Sequence, residues 1–483
     1  MNKKRQLNYA LVFFAGLMAS IGYVHDSLTL MILGLAFFIF NSKAPNPYVN
    51  GLAFALGLEA YYSIKHAFFA LHDIGLSTLD MLGIIAVREL VIFVLITVLS
   101  VIIHKLWTKD KRLLLLLPLI TVVLAIIENS WVNYVAMFTL DFGIVFLGTI
   151  WEPLFSMVGS YGMQGLLVLC ALLLVFILQK EKGLATTVFI FLVVVSIVAI
   201  ASPAHDQGKQ YSVAVIQAVP LPQHDMSPEL MANSYENALT RYNNVKENVD
   251  ITVWPEGELP DPIVMLKNKA QSLVAPVLIA GGEFMPEEGG IRLGQHLIAN
   301  GNSAFITKKN LAPLGEYIPW YLKLFAGALE PEKVVDTDLE EPIAFKSQKF
   351  GALTCFDIND AWEARRQVRD GANVIISSFS NVFYGEKGLL AAKVDLQRAR
   401  TRAIETGRWI IRSGQGGITA IINSRGVITQ QLPWWTDGII TGVYKTKENK
   451  TLFVQYGYWL NILWLLPWAF FCALPLIRRE RNV

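Results

Sequence analysis

Long runs of apolar residues, broken by short polar stretches, fill the first two hundred positions of the chain. The runs at 8–24, 27–41, 51–71, 81–105, 112–127, 162–180 and 185–202 have the composition of bilayer-spanning helices, and an eighth covers 454–477. The second and fifth are short for a full span, which fits tilt or extension by their flanks. Between the seventh and eighth runs the pattern changes. Short β-capable segments at 211–217, 251–256, 274–280, 303–307, 350–354, 373–377, 409–413 and 418–423 alternate with polar stretches, and a polar helix is predicted over about 386–407. Strands interleaved with helices predict an α/β layered domain. The pattern therefore divides the chain into a membrane domain of seven helices (1–204), a polar domain (205–450), and an eighth helix with a basic tail (451–483). There is no internal repeat and no low-complexity tract.

Composition supports that division. Hydrophobic residues make up 53% of the 483 positions and charged residues 17%, too apolar for an ordinary soluble enzyme. A formal net charge of +2, with the basic residues gathered beside the apolar runs, argues against a nucleic-acid partner. Lys3, Lys4 and Arg5 precede the first run as in a signal peptide. That run leads into another apolar segment, however, so a retained first helix is expected. With these residues in the cytoplasm and sides alternating at every span, Lys43, the cluster Lys105, Lys109, Lys111 and Arg112, the turn Lys180–Lys182 and the tail Arg478, Arg479 and Arg481 all fall inside. Eight spans give that agreement. They put both termini in the cytoplasm and the polar domain on the outer face.

Two features of the membrane domain carry narrower expectations. The stretch 128–161 holds Trp131, Tyr134, Phe138, Phe142, Phe146, Trp151 and Phe155, which reads as an interfacial aromatic belt. Glu59, Lys65 and His66 in the third run are costly in hydrocarbon and are expected to mark a helix end at the interface.

The chemistry-bearing residues lie in the polar domain. Cys170 and Cys472 sit inside apolar runs, which leaves Cys355 as the cysteine whose reactivity explains it better than pairing does. It follows a short β-capable run, and Glu256 ends another at Trp254-Pro255-Glu256. A lysine, Lys308 or Lys309, stands between them in the chain. A thiol of ordinary acidity is mostly protonated at neutral pH, so attack on an ester needs a base and a cation to hold the oxyanion. A lone cysteine after a strand is most often a small buried hydrophobe, so the weight rests on the combination. The seven histidines are scattered without ligand spacing, and no glycine-rich phosphate loop opens a helix.

These residues carry a resemblance. WPE at 254–256, KKNLAPLGEYIP at 308–319, TCFD at 354–357 and RARTRAIETGRWIIRSGQGGITAIINSRG at 398–426 resemble the nitrilase (carbon–nitrogen hydrolase) superfamily. Together with the flanking spans and GLAFALGLEAYYSI at 51–64, they resemble its membrane-bound branch, the apolipoprotein N-acyltransferase family. The resemblance implies an α/β fold: a nitrilase-type αββα sandwich inserted between the transmembrane helices of an eight-helix membrane domain. It implies Glu256 as base, Lys308 rather than Lys309 as oxyanion stabiliser, Cys355 as nucleophile, and Glu316, Asp357 and Phe383 as accessory or substrate-binding residues. No cofactor or metal is implied. The implied partners are a phospholipid acyl donor and a diacylglyceryl lipoprotein acceptor, met at the outer face of a bacterial inner membrane. Glu405 is expected to be the structural ion-pair partner of a nearby arginine.

The chain also departs from the family pattern. Asp357 replaces a glutamate and Phe383 a tryptophan. Val394-Asp395 stands for a Gln-His pair, 413–417 reads SGQGG, and the segment 302–308 is shorter than the family's hairpin. These positions bear on substrate more than on reaction class. Two other readings stay open at this stage: a membrane-tethered amidase that passes the acyl group to water, and a catalytically silent lipoprotein-binding protein.

Overall fold

The computed structural model describes residues 3–72, 77–127, 141–202, 207–218, 240, 244, 249–256, 277–285, 290–299, 302–326, 334, 341–382, 385–386, 388–462 and 466. The chain forms two units, one made of Met1–Phe68, Ser77–Pro203 and Tyr456–Val483 and the other of Phe69–Leu76 and Ala204–Gln455.

The first unit is helical. Its apolar runs form α1 (Lys3–Val24), α2 (Leu28–Asn41), α3 (Pro47–His72), α4 (Thr78–Lys109), α5 (Leu117–Ile127), α6 (Phe155–Leu178) and α7 (Lys182–Ala201). Among the described residues, four helical stretches are long and apolar enough to cross a membrane: Gln6–Val24, Thr78–Lys109, Glu152–Leu178 and Lys182–Ala201. Most of the expected eighth span lies outside the described residues. Helices α1 and α3 cross backbone to backbone. A Cβ on Gly16 would sit 2.1 Å from the carbonyl oxygen of Phe54, and one on Gly57 would sit 1.9 Å from that of Phe13. Small residues at such a crossing let main chains approach where lipid offers no hydrophobic drive.

Two expectations for this unit need correction. Glu59 lies in the middle of α3, not at a helix end. It is 3% exposed and accepts a hydrogen bond from the Arg88 guanidinium of α4 at 2.7 Å, while Arg88 also reaches Glu89 at 2.6 Å. A buried carboxylate is tolerated because a cation meets it. Nor do the aromatics of 141–155 form a belt. Phe146 and Phe155 are fully buried, and Phe142 packs edge-on against Tyr23 with ring centres 5.6 Å apart. Trp131, Tyr134 and Phe138 fall outside the described residues, as do the side chains of Lys65 and His66.

The second unit is built from two six-stranded sheets. The first, in the order β12-β1-β2-β3-β4-β5, comprises β1 (Lys209–Gln217), β2 (Ile251–Trp254), β3 (Val277–Met285), β4 (Gly290–Ala299), β5 (Asn302–Thr307) and β12 (Gly438–Thr446). The second, β11-β10-β9-β8-β7-β6, comprises β6 (Ile343–Phe345), β7 (Gln348–Ala352), β8 (Val374–Ser380), β9 (Ile410–Gln415), β10 (Ala420–Ile422) and β11 (Ile428–Gln431). Each sheet has a parallel core of three strands, β1-β2-β3 and β9-β8-β7, with antiparallel strands outside it. Four of these strands, β4, β6, β11 and β12, are absent from the sequence expectation. Those on the rims alternate or are polar, and the apolar-run criterion passes over them.

The sheets face each other across Val213, Val215, Ile251, Val253 and Tyr444 on one side and Phe350, Val374, Ile376, Ile411 and Ile421 on the other. On the outer face of the second sheet, α8 (Ala361–Arg369) and α9 (Leu389–Thr406) bury Ala364, Val368, Ala392, Ala399 and Ala403 against Ile375, Ile410 and Ile422. Alanines dominate this face of α9, which lets the helix lie close to the strands. Three of the four layers of an αββα sandwich are thus described. Glu405 on α9 pairs with Arg402, as expected.

Candidate active site

Side chains that end parallel strands gather at one edge of the sheets, because strands of one direction deliver their carboxyl ends together. Glu256 follows β2 by two residues, Cys355 follows β7 by three, and Ser380 closes β8. Lys308 stands directly after β5, and its own N–H extends the ladder to the Leu293 carbonyl at 2.8 Å.

Cys355 occupies a sharp elbow. The N–H of Leu353 still pairs with the Ile376 carbonyl at 2.8 Å, and Cys355 then takes φ +47° and opens the 3-10 turn Cys355–Asn359. A non-glycine residue in this left-handed region costs about 1–3 kcal/mol and persists where the surroundings enforce it. Asp357 is the enforcing residue. Its carboxylate accepts from the N–H of Thr354 at 3.2 Å, from the N–H of Asn310 at 2.7 Å and from the Asn310 side-chain amide at 3.1 Å. One buried carboxyl therefore ties the cysteine turn to the lysine loop. Asp357 was expected as an accessory residue, and it acts on backbone: it is 1% exposed and enclosed.

Lys308 is fully buried. Its Nζ meets the Glu316 carboxylate and stands 3.9 Å from Oε1 of Glu256. Glu316 also closes its own loop by accepting from the Ala312 N–H at 2.7 Å. Glu256 accepts from the Ser380 N–H at 3.2 Å, and the Ser380 carbonyl lies 3.9 Å from the Cys355 sulfur, within reach of its S–H. Glu256, Lys308 and Cys355 thus meet around residue 380, with Glu316 behind the lysine. Lys309 is exposed, whereas Lys308 is buried beside Glu256 and Glu316. Phe383 lies outside the described residues.

Electrostatics follow from burying one cation among acids. Loss of water raises Glu256, the Lys308 charge opposes that rise, and Glu316 adds to it. Burial alone would lower Lys308, but Cys355, Glu256 and Glu316 outweigh it and keep the ammonium charged. The Cys355 thiol is pushed well up, first by burial and then by the Glu256 charge, with Lys308 pulling the other way. Burial and the neighbouring acids thus favour the protonated thiol and raise the basicity of the Glu256 carboxyl. The sulfur then becomes nucleophilic only as its proton leaves, which is general-base chemistry.

A cavity opens on Cys355, lined by Ala312, Phe356, Phe379, Asn381, Asp395 and Arg412 among others. Arg412 stacks its guanidinium 3.6 Å from the Phe379 ring centre. The unusual glycines at 413–417 find their reason here. A Cβ on Gly414 or Gly417 would lie 2.4 or 2.2 Å from Phe379 ring atoms. Asp395, one of the departures, is buried and pairs with Arg398 at 3.4 Å. Asn310 and Arg412 were not singled out from sequence, whereas Ser380 and Asn381 open the run 380–385 whose departure from the family pattern includes Phe383. Asn310 and Arg412 lie inside the family-like segments, but nothing in spacing distinguishes a residue that contacts the site from one that contacts solvent. Among the described residues no group of three or more His, Cys, Asp or Glu side chains could hold a metal ion.

The chain is similar to several known proteins. Residues 212–445 match the family model of the carbon–nitrogen hydrolases. The apolipoprotein N-acyltransferase of Haemophilus ducreyi is 24% identical over 390 residues, which covers 70% of this chain and 73% of that protein. The apolipoprotein N-acyltransferase of Shewanella oneidensis is 23% identical over 337 residues, 63% of each chain. The crystal structure of a carbon–nitrogen hydrolase from Helicobacter pylori aligns with 53% of this chain and 94% of its own at 14% identity, with a TM-score of 0.37.

Proposed function

We propose that this chain, which carries a carbon–nitrogen hydrolase domain and resembles apolipoprotein N-acyltransferases along most of its length, moves an acyl chain from a phospholipid to the N-terminal amine of a diacylglyceryl-cysteine lipoprotein. The observation that carries this reading is the convergence of Glu256, Lys308 and Cys355 at the carboxyl ends of β2, β5 and β7.

The reaction has two halves. Glu256 takes the Cys355 proton as the sulfur attacks the ester carbonyl, and the Lys308 ammonium holds the oxyanion of the tetrahedral intermediate. Collapse breaks the ester C–O bond. The departing lysophospholipid alkoxide takes the proton from Glu256, and a thioester is left on Cys355. In the second half the acceptor amine attacks the thioester, Glu256 accepts a proton from nitrogen, and the expelled thiolate regains it. Lys308 serves both halves, because both pass through an oxyanion at one place. Glu316 holds Lys308 in position. The catalytic domain stands on the extracytoplasmic face of a bacterial inner membrane, with both termini inside. Transfer is favoured over hydrolysis by the apolar helices that would keep the site at a lipid surface and by the names of the relatives.

The test uses the full chain in lipid vesicles with a phospholipid labelled in its acyl chain. Label should become bound to Cys355, and Cys355→Ala should abolish the adduct. Addition of a diacylglyceryl-cysteine peptide should discharge it into an N-acylated product. Lys308→Ala should slow adduct formation by about 10²–10³-fold. Discharge only into free fatty acid would replace the transfer reading with a hydrolase.

A further inference from the structure

The cavity on Cys355 contains a donor that the two-step chemistry above leaves unused. Asn381 lines it and is 3% exposed, and its side-chain Nδ2 has no hydrogen-bond partner among the described residues. The backbone on either side is firmly held. The Asn381 N–H donates to the Gln415 carbonyl at 2.9 Å, and the preceding residue, Ser380, is the one whose N–H meets Glu256 and whose carbonyl meets the Cys355 thiol. The side chain is thus carried on the same short piece of main chain that positions the base and the nucleophile. The charged members of the cavity wall are already engaged. Asp395 faces Arg398 at 3.4 Å and Arg412 lies on the Phe379 ring at 3.6 Å. A buried amide donor without a partner is unfavourable in the free protein and is kept where a ligand or water completes it.

We propose that Asn381 is a substrate-contacting residue whose side-chain amide donates to an ester oxygen of the acyl group accepted by Cys355. The inference rests on the acyl-transfer reading and adds a donor to it. Lys308 approaches the reacting carbon with its ammonium already turned toward Glu316 and Glu256. A second donor fixes the orientation of the carbonyl that one such contact leaves free to rotate.

Two probes separate the possibilities in the full-length protein. A short-chain p-nitrophenyl ester acylates the thiol through a tetrahedral oxyanion, whereas iodoacetamide alkylates it by displacement at a saturated carbon and forms none. Asn381→Leu is close in volume and removes both amide atoms; Asn381→Ala removes the donor together with most of the side chain and adds no charge. Both variants should acylate about a hundredfold more slowly and alkylate at the wild-type rate. Asn381→Leu should also melt no lower than wild type, because an unpartnered polar group has been removed. Acylation of both variants at the wild-type rate overturns the assignment. So does a parallel loss of acylation, alkylation and melting temperature, which would make Asn381 a structural residue. If the wild-type thiol is alkylated but never acylated, the acyl-transfer reading fails and this assignment fails with it.

Discussion

Asp357 shows how much of a site can rest on one residue that does no chemistry. Its carboxylate accepts from the backbone of Thr354 and of Asn310, so the Cys355 elbow and the lysine loop share one anchor. Those N–H donors and the Lys308 charge favour the ionised form, yet burial and the neighbouring Glu363 charge prevail and push the group up to about 7 from an ordinary 3.8. Between those values the folded protein holds a proton that the unfolded chain has released. Stability contributed by this group is therefore full at low pH and falls as pH rises from about 4 to about 7, with no further change above. Thermal unfolding of the wild type and Asp357→Asn across that range should show a downward slope that is shallower in the second, where only the other buried carboxyls such as Glu256 still contribute. Equal slopes would mean that another group sets the dependence. The change of glutamate to aspartate at this position, visible as a departure in the sequence, places the carboxyl one methylene nearer its own backbone, where it can complete the capping box with Thr354.

Among the elements, the pair α3–α4 is joined by the buried contact of Glu59 with Arg88. A carboxylate and a guanidinium taken out of water are tolerable together and costly apart. Arg88→Met should destabilise the helical unit by about 3–5 kcal/mol, since it leaves the Glu59 charge uncompensated. The double change Glu59→Met with Arg88→Met should recover the part of that loss due to Glu59, while Glu89 still lacks its Arg88 contact. Unfolding in detergent, followed by helix content, measures both, and a double variant no better than the single one would show that the pair is not the source. The sheets teach a related point about edges. β4 and β5 pair from Ala299↔Asn302 onward, and the sequence between them is Asn300-Gly301, the strongest short-range hairpin signal a chain can carry. Reading apolar runs alone passes over it, because β4 mixes Arg292, Gln295 and His296 with its leucines and isoleucines.

On the scale of the whole molecule, the proposed orientation rests on the distribution of basic residues beside the apolar runs. A protease added outside intact spheroplasts should cut within 205–450 and spare the loop carrying Lys105, Lys109, Lys111 and Arg112; cleavage with the opposite preference would reverse the orientation. Much of the molecule was legible before any coordinates. Membrane helices announce themselves by composition, since lipid demands that every backbone polar group be satisfied within a long apolar helix. Buried parallel strands announce themselves as short apolar runs, and the sequence shows a thiol, a carboxylate and a lysine at strand ends, the residues from which the site is proposed. Which side chains meet was decided by tertiary structure alone. Asn310, Ser380 and Asn381 are brought to Cys355 by strand order and register, and Glu59 is neutralised by a residue 29 positions away. Spacing along a chain encodes the period of an element and the direction of its side chains. Contact across elements depends on how the layers pack, and only the folded chain supplies that.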